Sequence, residues 1–245
     1  MGKKDVAFSL YAPDTVSVKG RGSINAAIGI KNNSGKGITG IREGNLAINY
    51  GYEAGKAGKS ARKLPVYISP NEEEYVAFSV KKPKVAGKYG LRVKYELPGT
   101  DISGELNKEI TVSEIPDSRN PSRLGFETRD FRCPERAKTG STVRITGFIR
   151  NAGDTLWLSR VGDIYDRGPV RLGGTWYRKG KAVSGFRALL SCDVSPGEEL
   201  RVIARPEAPD EPGEYTLKID LVSEHVAWFE KKGNKTVTLP VRISR

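Results

Sequence analysis

The chain has 245 residues, 37% hydrophobic and 29% charged. The charges are scattered among apolar runs, which excludes wholesale disorder and leaves room for two ordinary domains. Its net charge of 41 − 29 = +12 favours acidic partners such as anionic glycans, acidic protein faces, phosphates or headgroups. No apolar window of about 18 residues exists, so no membrane-spanning helix is expected.

The N-terminal run Met1-Gly2-Lys3-Lys4-Asp5-Val6 has no apolar core, so no signal peptide is expected; the chain is cytoplasmic, or an excised or mature part of an exported protein. Short strands then follow at Ala7–Tyr11, Ile24–Lys31, Leu46–Tyr52, Tyr75–Val80, Tyr89–Leu97 and Asn107–Val112, marked by alternation or by β-branched and aromatic residues. Leu91, Val93, Tyr95 and Leu97 alternate with Arg92, Lys94 and Glu96, which reads as one buried and one wet face. No stretch of about 12 residues keeps a helical period. Glu114–Gly125 holds Pro116 and Pro121 among polar residues and reads as a semi-rigid spacer.

Past this spacer the pattern starts again. Ile24–Asn33 aligns with Val143–Ala152, so that Asn32 falls on Asn151. Ser69-Pro70-Asn71-Glu72 aligns with Ser195-Pro196-Gly197-Glu198, and Gly87–Val93 aligns with Gly213–Ile219. The offset grows from 151 − 32 = 119 to 215 − 89 = 126, which places an insertion in the second copy near Trp157–Gly168. Three matched blocks in one order indicate duplication. Residues 1–120 carry 19 − 13 = +6 and residues 121–245 carry 22 − 16 = +6, so the charge belongs to both copies. The expected fold is all-β: two tandem immunoglobulin-like antiparallel β-sandwiches, residues 1–114 and 126–245, joined by a linker at 115–125.

The second copy resembles a known module. Arg150–Trp157 (RNAGDTLW) is similar to the corresponding segment of the four-tryptophan immunoglobulin-like domain of selective-autophagy receptors and its bacterial relatives. Val170–Gly174, Val194–Glu198 and Ala208–Leu217 follow in order, and Ile219–Val222 with Val226–Phe229 resembles immunoglobulin-like modules attached to bacterial glycosyltransferases and other polysaccharide proteins. The resemblance covers about residues 133–243; the first copy departs from it in having no tryptophan. It implies a β-sandwich interaction module without catalysis, and fold alone does not name a ligand. Tyr215 in Pro-Gly-Glu-Tyr resembles a tyrosine corner.

The sharpest candidate site is the hairpin after Val222, with Glu224, His225, Trp228 and Phe229: the sole histidine beside an aromatic pair. Tryptophan faces stack on sugars and fill protein hot spots; the alternative is that the two rings close the sandwich over its core. A second candidate is the Gly/Ala-rich loop with Lys56, Lys59, Arg62 and Lys63, matched in the second copy by Arg178, Lys179 and Lys181. A charged loop present in both copies reads as an anion-facing end of the sandwich, and the alternative is solvated lysines. The loops lack the basic–aromatic interleaving of single-strand binders, so nucleic acid is not the expected partner. Asp154, Asp163 and Asp166 fall short of the six to eight oxygens that calcium needs. Cys133 and Cys192 form no framework or metal spacing, and whether they are bridged stays open.

Catalysis is disfavoured by inventory: one histidine, no nucleophile motif, no phosphate loop and no cofactor fingerprint. The expected function is a non-catalytic binding or adaptor protein engaging an acidic protein surface or an anionic glycan, with no cofactor and no metal. The alternative is a structural subunit of a larger assembly, such as a filament, surface layer or virion-like shell.

Overall fold

The structure, a computed structural model, describes residues 5–19, 22–39, 45–52, 57–65, 67–160 and 167–245. Its strands are β1 (Val6–Tyr11), β2 (Thr15–Ser17), β3 (Ser23–Asn32), β4 (Ile38–Thr39), β5 (Asn45–Tyr52), β6 (Gly58–Lys63), β7 (Tyr67–Ile68), β8 (Glu73–Lys81), β9 (Gly87–Glu96) and β10 (Ser103–Ser113). They continue with β11 (Phe126–Arg132), β12 (Arg136–Lys138), β13 (Ile145–Asn151), β14 (Val170–Arg178), β15 (Lys181–Leu189), β16 (Glu199–Ala204), β17 (Gly213–Ser223), β18 (Ala227–Trp228) and β19 (Val237–Ser244). The chain divides into two compact units, Met1–Ile115 with Ser191–Asp193, and Pro116–Leu190 with Val194–Arg245.

Each unit is a β-sandwich of the immunoglobulin-like kind. In the first, a sheet of order β1-β3-β8 faces one of order β2-β10-β9-β5-β6. In the second, β11-β13-β16 faces β12-β19-β17-β14-β15, with β18 added on β17. The order of strands is the same in both units. Pairing is antiparallel throughout, except that the short β2 and β12 lie parallel to β10 and β19.

Period two builds the core. Leu91 and Val93 are fully buried between exposed Arg92 and Lys94, and Leu217 and Ile219 repeat the pattern. Rings meet between sheets in the first unit, with Phe8 stacked on Tyr95 at 4.3 Å and Tyr50 beside Phe78 at 6.2 Å. The Tyr215 hydroxyl donates to the Glu211 carbonyl at 2.8 Å, and the Tyr89 hydroxyl makes the same four-residue reach to Val85 at 3.0 Å. Both are tyrosine corners in geometry. The β13–β14 connection is six residues longer than its counterpart, 170 − 151 = 19 against 45 − 32 = 13.

Of the semi-rigid spacer expected at 115–125, Pro116–Gly125 belongs to the second compact unit. Ser118 is fully buried; its hydroxyl donates to the Gly168 carbonyl at 2.6 Å and accepts the Leu158 N–H at 3.0 Å. The Ser223 hydroxyl donates to the Ser118 carbonyl at 2.8 Å, and Leu124 is 4% exposed. These hydrogen bonds let the polar Ser118 be buried, while Asn120, Ser122 and Arg123 stay exposed. The Gly/Ala-rich segment carrying Lys59, Arg62 and Lys63 is not a loop but strand β6, paired with β5 from Asn45↔Lys63 to Tyr50↔Gly58. The two cysteines are free, and burial pushes the Cys133 thiol up to about 11. Among the described residues, no helix is long and apolar enough to cross a membrane.

Candidate functional site

The hairpin after Val222 is short because β17 turns back at once. The Val226 N–H donates to the Ser223 carbonyl at 3.0 Å, and exposed His225 takes a left-handed φ of 57° in the bend. β18 then pairs Val222↔Trp228 and Ser223↔Ala227. β18 ends at Trp228, and Phe229 already turns into a 3-10 turn at Glu230–Lys232 with φ −69° and ψ −31°, so the two rings part company. Phe229 goes inward, 0% exposed, its ring 5.7 Å from Phe126 and 5.5 Å from Trp157. It is a core residue and no ligand surface. Trp157 and Trp176, at 0% and 1% exposure, are core residues too.

Trp228 lies outward and half-buried. Its ring rests on the backbone of Gly173, where a Cβ would come within 2.7 Å of the indole. The Arg187 guanidinium sits 4.1 Å from the ring centroid, a cation–π contact. The Glu224 carboxylate lies 3.4 Å from Arg187 Nε and 3.7 Å from Arg171 Nε. Arg171 Nε is buried with no hydrogen-bond partner. The result is a cluster of two arginines, one glutamate and one tryptophan, with net charge 2 − 1 = +1. Side-chain exposures of 22% for Arg171, 33% for Arg187 and 20% for Glu224 mean that solvent screens these charges less than free surface charges. Of the hairpin residues singled out from the sequence, Glu224 and Trp228 fall in this cluster and His225 stays exposed in the bend; Arg171 and Arg187 were not singled out.

A third residue escaped the sequence reading. Asp220 is 4% exposed and pairs with Gly173 in register, on the face that carries Trp228. Its carboxylate accepts the Leu221 N–H at 2.7 Å and the Glu230 N–H at 3.2 Å, which ties the chain after the hairpin to the sheet. Burial holds this carboxyl above the usual carboxylate range, against the lowering effect of the two N–H groups. The folded state therefore binds the proton more tightly than the unfolded chain. The contribution of Asp220 to stability is fully present below its unfolded value and falls as pH rises through its folded one. Asp220→Asn is expected to flatten the slope of unfolding free energy against pH in that window, measured by denaturant titration at stepped pH; an unchanged slope would mean an ordinary carboxyl.

The basic residues fall into two sets. Lys56 lies outside the described residues. On β6, Lys59 pairs with Asn49, which pairs in turn with Lys94, while Lys63 pairs with Asn45. Directly paired residues share a face, as do residues two apart along a strand, so Lys59, Lys63, Lys94 and Arg92 share the outer face of the five-stranded sheet. Glu105 partly neutralises this face, 3.2 Å from Arg92 and 3.7 Å from Lys94. Arg62 turns the other way; its Nε donates to the Ala77 carbonyl on β8 at 3.1 Å and bridges the two sheets. In the second unit, Lys179 and Gly180 form the β14–β15 turn with φ of 49° and 77°. Lys179 and Lys181 are exposed at its tip. Arg178 is engaged: it pairs with Glu211 and donates to the Pro212 carbonyl at 3.1 Å.

Among the described residues, no group of three or more His, Cys, Asp or Glu side chains could hold a metal ion. Asp163 and Asp166 lie outside the described residues. Asp154 accepts the Ser122 hydroxyl at 2.6 Å, the Arg123 N–H at 2.9 Å and the Thr155 hydroxyl at 3.0 Å, and these bonds hold its carboxyl below the usual range.

No protein-family model and no curated protein matches the chain. Solved structures with a similar course include the red sea bream transglutaminase, at 11% identity and a TM-score of 0.30, over 98% of this chain and 31% of that one. The native E. coli alpha-2-macroglobulin is similar at 10% identity and a TM-score of 0.28, over 99% of this chain and 17% of that one. A Salmonella alpha-2-macroglobulin mutant is similar at 8% identity and a TM-score of 0.28, over 99% and 16%. The chain spans less than a third of the length of these structures, and matches at this level say nothing of activity or ligand.

Proposed function

We propose that this chain is a non-catalytic binding module for anionic partners, and that the outer face of the larger sheet in the second unit is its recognition surface. The carrying observation is the half-buried Arg171–Arg187–Glu224–Trp228 cluster. Two guanidiniums share one carboxylate at distances beyond hydrogen bonding, so both keep donors for a second carboxylate or sulfate. Arginine's planar fork suits such groups, and Trp228 adds an apolar flank. The overall charge of +12 draws acidic partners toward either unit.

The test is retention on immobilised heparin and on polyglutamate across a salt gradient. The wild-type chain should be retained on at least one, with affinity falling as salt rises. Arg187→Ala should weaken it about tenfold, the size of one charge-assisted hydrogen bond. Heparin alone would indicate a glycan partner; polyglutamate alone, an acidic protein. Binding that ignores both salt and Arg187→Ala would reject this surface.

A further inference from the structure

Beside the β14–β15 hairpin, away from the Trp228 cluster, the second unit has a cavity of about 550 Å³. Trp176, Phe186 and Tyr215 contribute aromatic walls, and Glu207, Asp210 and Glu211 line it with carboxylates. The setting is unusual for a chain of net charge +12. The cavity arises because β15 ends the larger sheet, pairing with β14 alone among the described residues. At the same sheet position in the first unit, Arg62 reaches from β6 to the Ala77 carbonyl on β8 and spans the gap.

Aromatic rings combined with carboxylates are the chemistry of organic-cation recognition: the ring quadrupole attracts the cation and the carboxylate neutralises it. The molecule already places one such cation here. The Arg178 guanidinium pairs with Glu211 and lies 5.7 Å from the Tyr215 ring centroid. Arg178 thus occupies one side of the cavity as an internal ligand, while no ion pair is formed by Glu207 or Asp210 among the described residues. A further observation is independent of charge. Trp176 is 1% exposed, forms part of the wall, and its indole N–H has no hydrogen-bond partner. The indole N–H is itself shut off from the cavity, so it reports occupancy through the wall and not by direct contact. Val183, 50% exposed, stands at the free edge of β15 beside the cavity, where an extended chain could add main-chain hydrogen bonds.

We propose that this cavity binds a lysine or arginine side chain of an extended basic peptide, with Glu207 and Asp210 taking the cation and Arg178 competing for the adjoining Glu211. The site is separate from the anion-binding reading and does not depend on it.

The experiment titrates hexalysine and hexaarginine into the full chain and follows the tryptophan indole N–H signals by NMR, Trp176 being assigned by Trp176→Phe. The Trp176 signal should shift saturably, although the net charge of the protein repels both peptides. The double variant Glu207→Gln/Asp210→Asn should weaken binding about tenfold. Arg178→Ala should tighten it several-fold by releasing Glu211, whereas Lys179→Ala, the same change of charge next door, should leave it nearly unchanged. Heparin retention should survive the double variant, which separates this site from the Trp228 face. The proposal is overturned if the Trp176 signal does not move, if the double variant binds as well as wild type, or if Arg178→Ala and Lys179→Ala act alike.

Discussion

Phe229→Ala is expected to lower the unfolding free energy by about 3–5 kcal/mol, the cost of truncating a fully buried aromatic ring. Trp228→Ala, one residue earlier, should cost only about 1–2 kcal/mol, mostly the cation–π contact with Arg187 and the ring's partial burial. The difference follows from the end of β18 at Trp228, where the chain turns at Phe229: Phe229 is 0% exposed between Phe126 and Trp157, while Trp228 lies on the outer face over Gly173. Retention on the anionic columns should show the reverse order. Trp228→Ala should weaken binding at undiminished fold content, and Phe229→Ala should leave affinity nearly intact wherever the protein remains folded. Guanidinium unfolding followed by tryptophan fluorescence, beside salt-gradient retention, measures both. Equal losses of stability in the two variants would mean that the aromatic pair is not divided between core and surface.

The strand centres were legible because alternation and β-branched content survive without any tertiary information; Tyr89–Leu97 differs from the observed Gly87–Glu96 only at its ends. β6 was not legible. Gly58, Ala61 and the lysines have weak strand preference, and the strand exists because β5 holds it. The two units also fill one position from opposite strands. In the first, Tyr50 of β5 lies over Gly58 of β6, where a Cβ would meet the ring at 2.2 Å; in the second, Phe186 of β15 lies over Gly174 of β14, where a Cβ would meet it at 2.0 Å. The space is conserved between the units while the residues trade strands, so a residue-by-residue alignment sees only a mismatch. Arg171 and Arg187 escaped for a related reason. Register, not sequence, brings them to Glu224: Arg171 pairs with both Leu189 and Val222, and Gly173 pairs with Arg187. Asp220 sits on the strand face opposite the core residues Ile219 and Leu221, where a polar side chain is expected in water. Its burial depends on the hairpin folding back so that the Glu230 N–H reaches it.

Asn151→Ala is expected to destabilise the second unit by about 3 kcal/mol, because it removes three hydrogen bonds of a buried side chain and takes their partner from the buried Thr155 carbonyl and the Gly153 N–H. Asn151 ends β13 and is 0% exposed. Its amide donates to the Thr155 carbonyl at 2.9 Å and the Val194 carbonyl at 3.0 Å, and its side-chain oxygen accepts the Gly153 N–H at 3.1 Å. One side chain thereby joins the loop after β13 to the segment before β16. Asn32 does the same at the end of β3. It donates to the carbonyls of Lys36 at 2.8 Å, Ile68 at 3.0 Å and Ser69 at 3.2 Å, and accepts the Ser34 N–H at 2.8 Å. Asn32→Ala should therefore cost the first unit a similar amount. Asn151→Asp tests the donor role alone: it keeps the shape and the acceptor but points a carboxylate at two carbonyls. Burial and those carbonyls would raise the folded pKa of the new carboxyl, so the variant should regain stability as pH falls toward the ordinary carboxylate range. Urea titrations at neutral and acid pH measure all three variants. If Asn32→Ala were silent where Asn151→Ala is costly, the two asparagines would not hold equivalent joints. Equal costs would show why asparagine stands at this point in both units: no other side chain of that length offers two donors and an acceptor to a loop that must cross the open end of a sandwich.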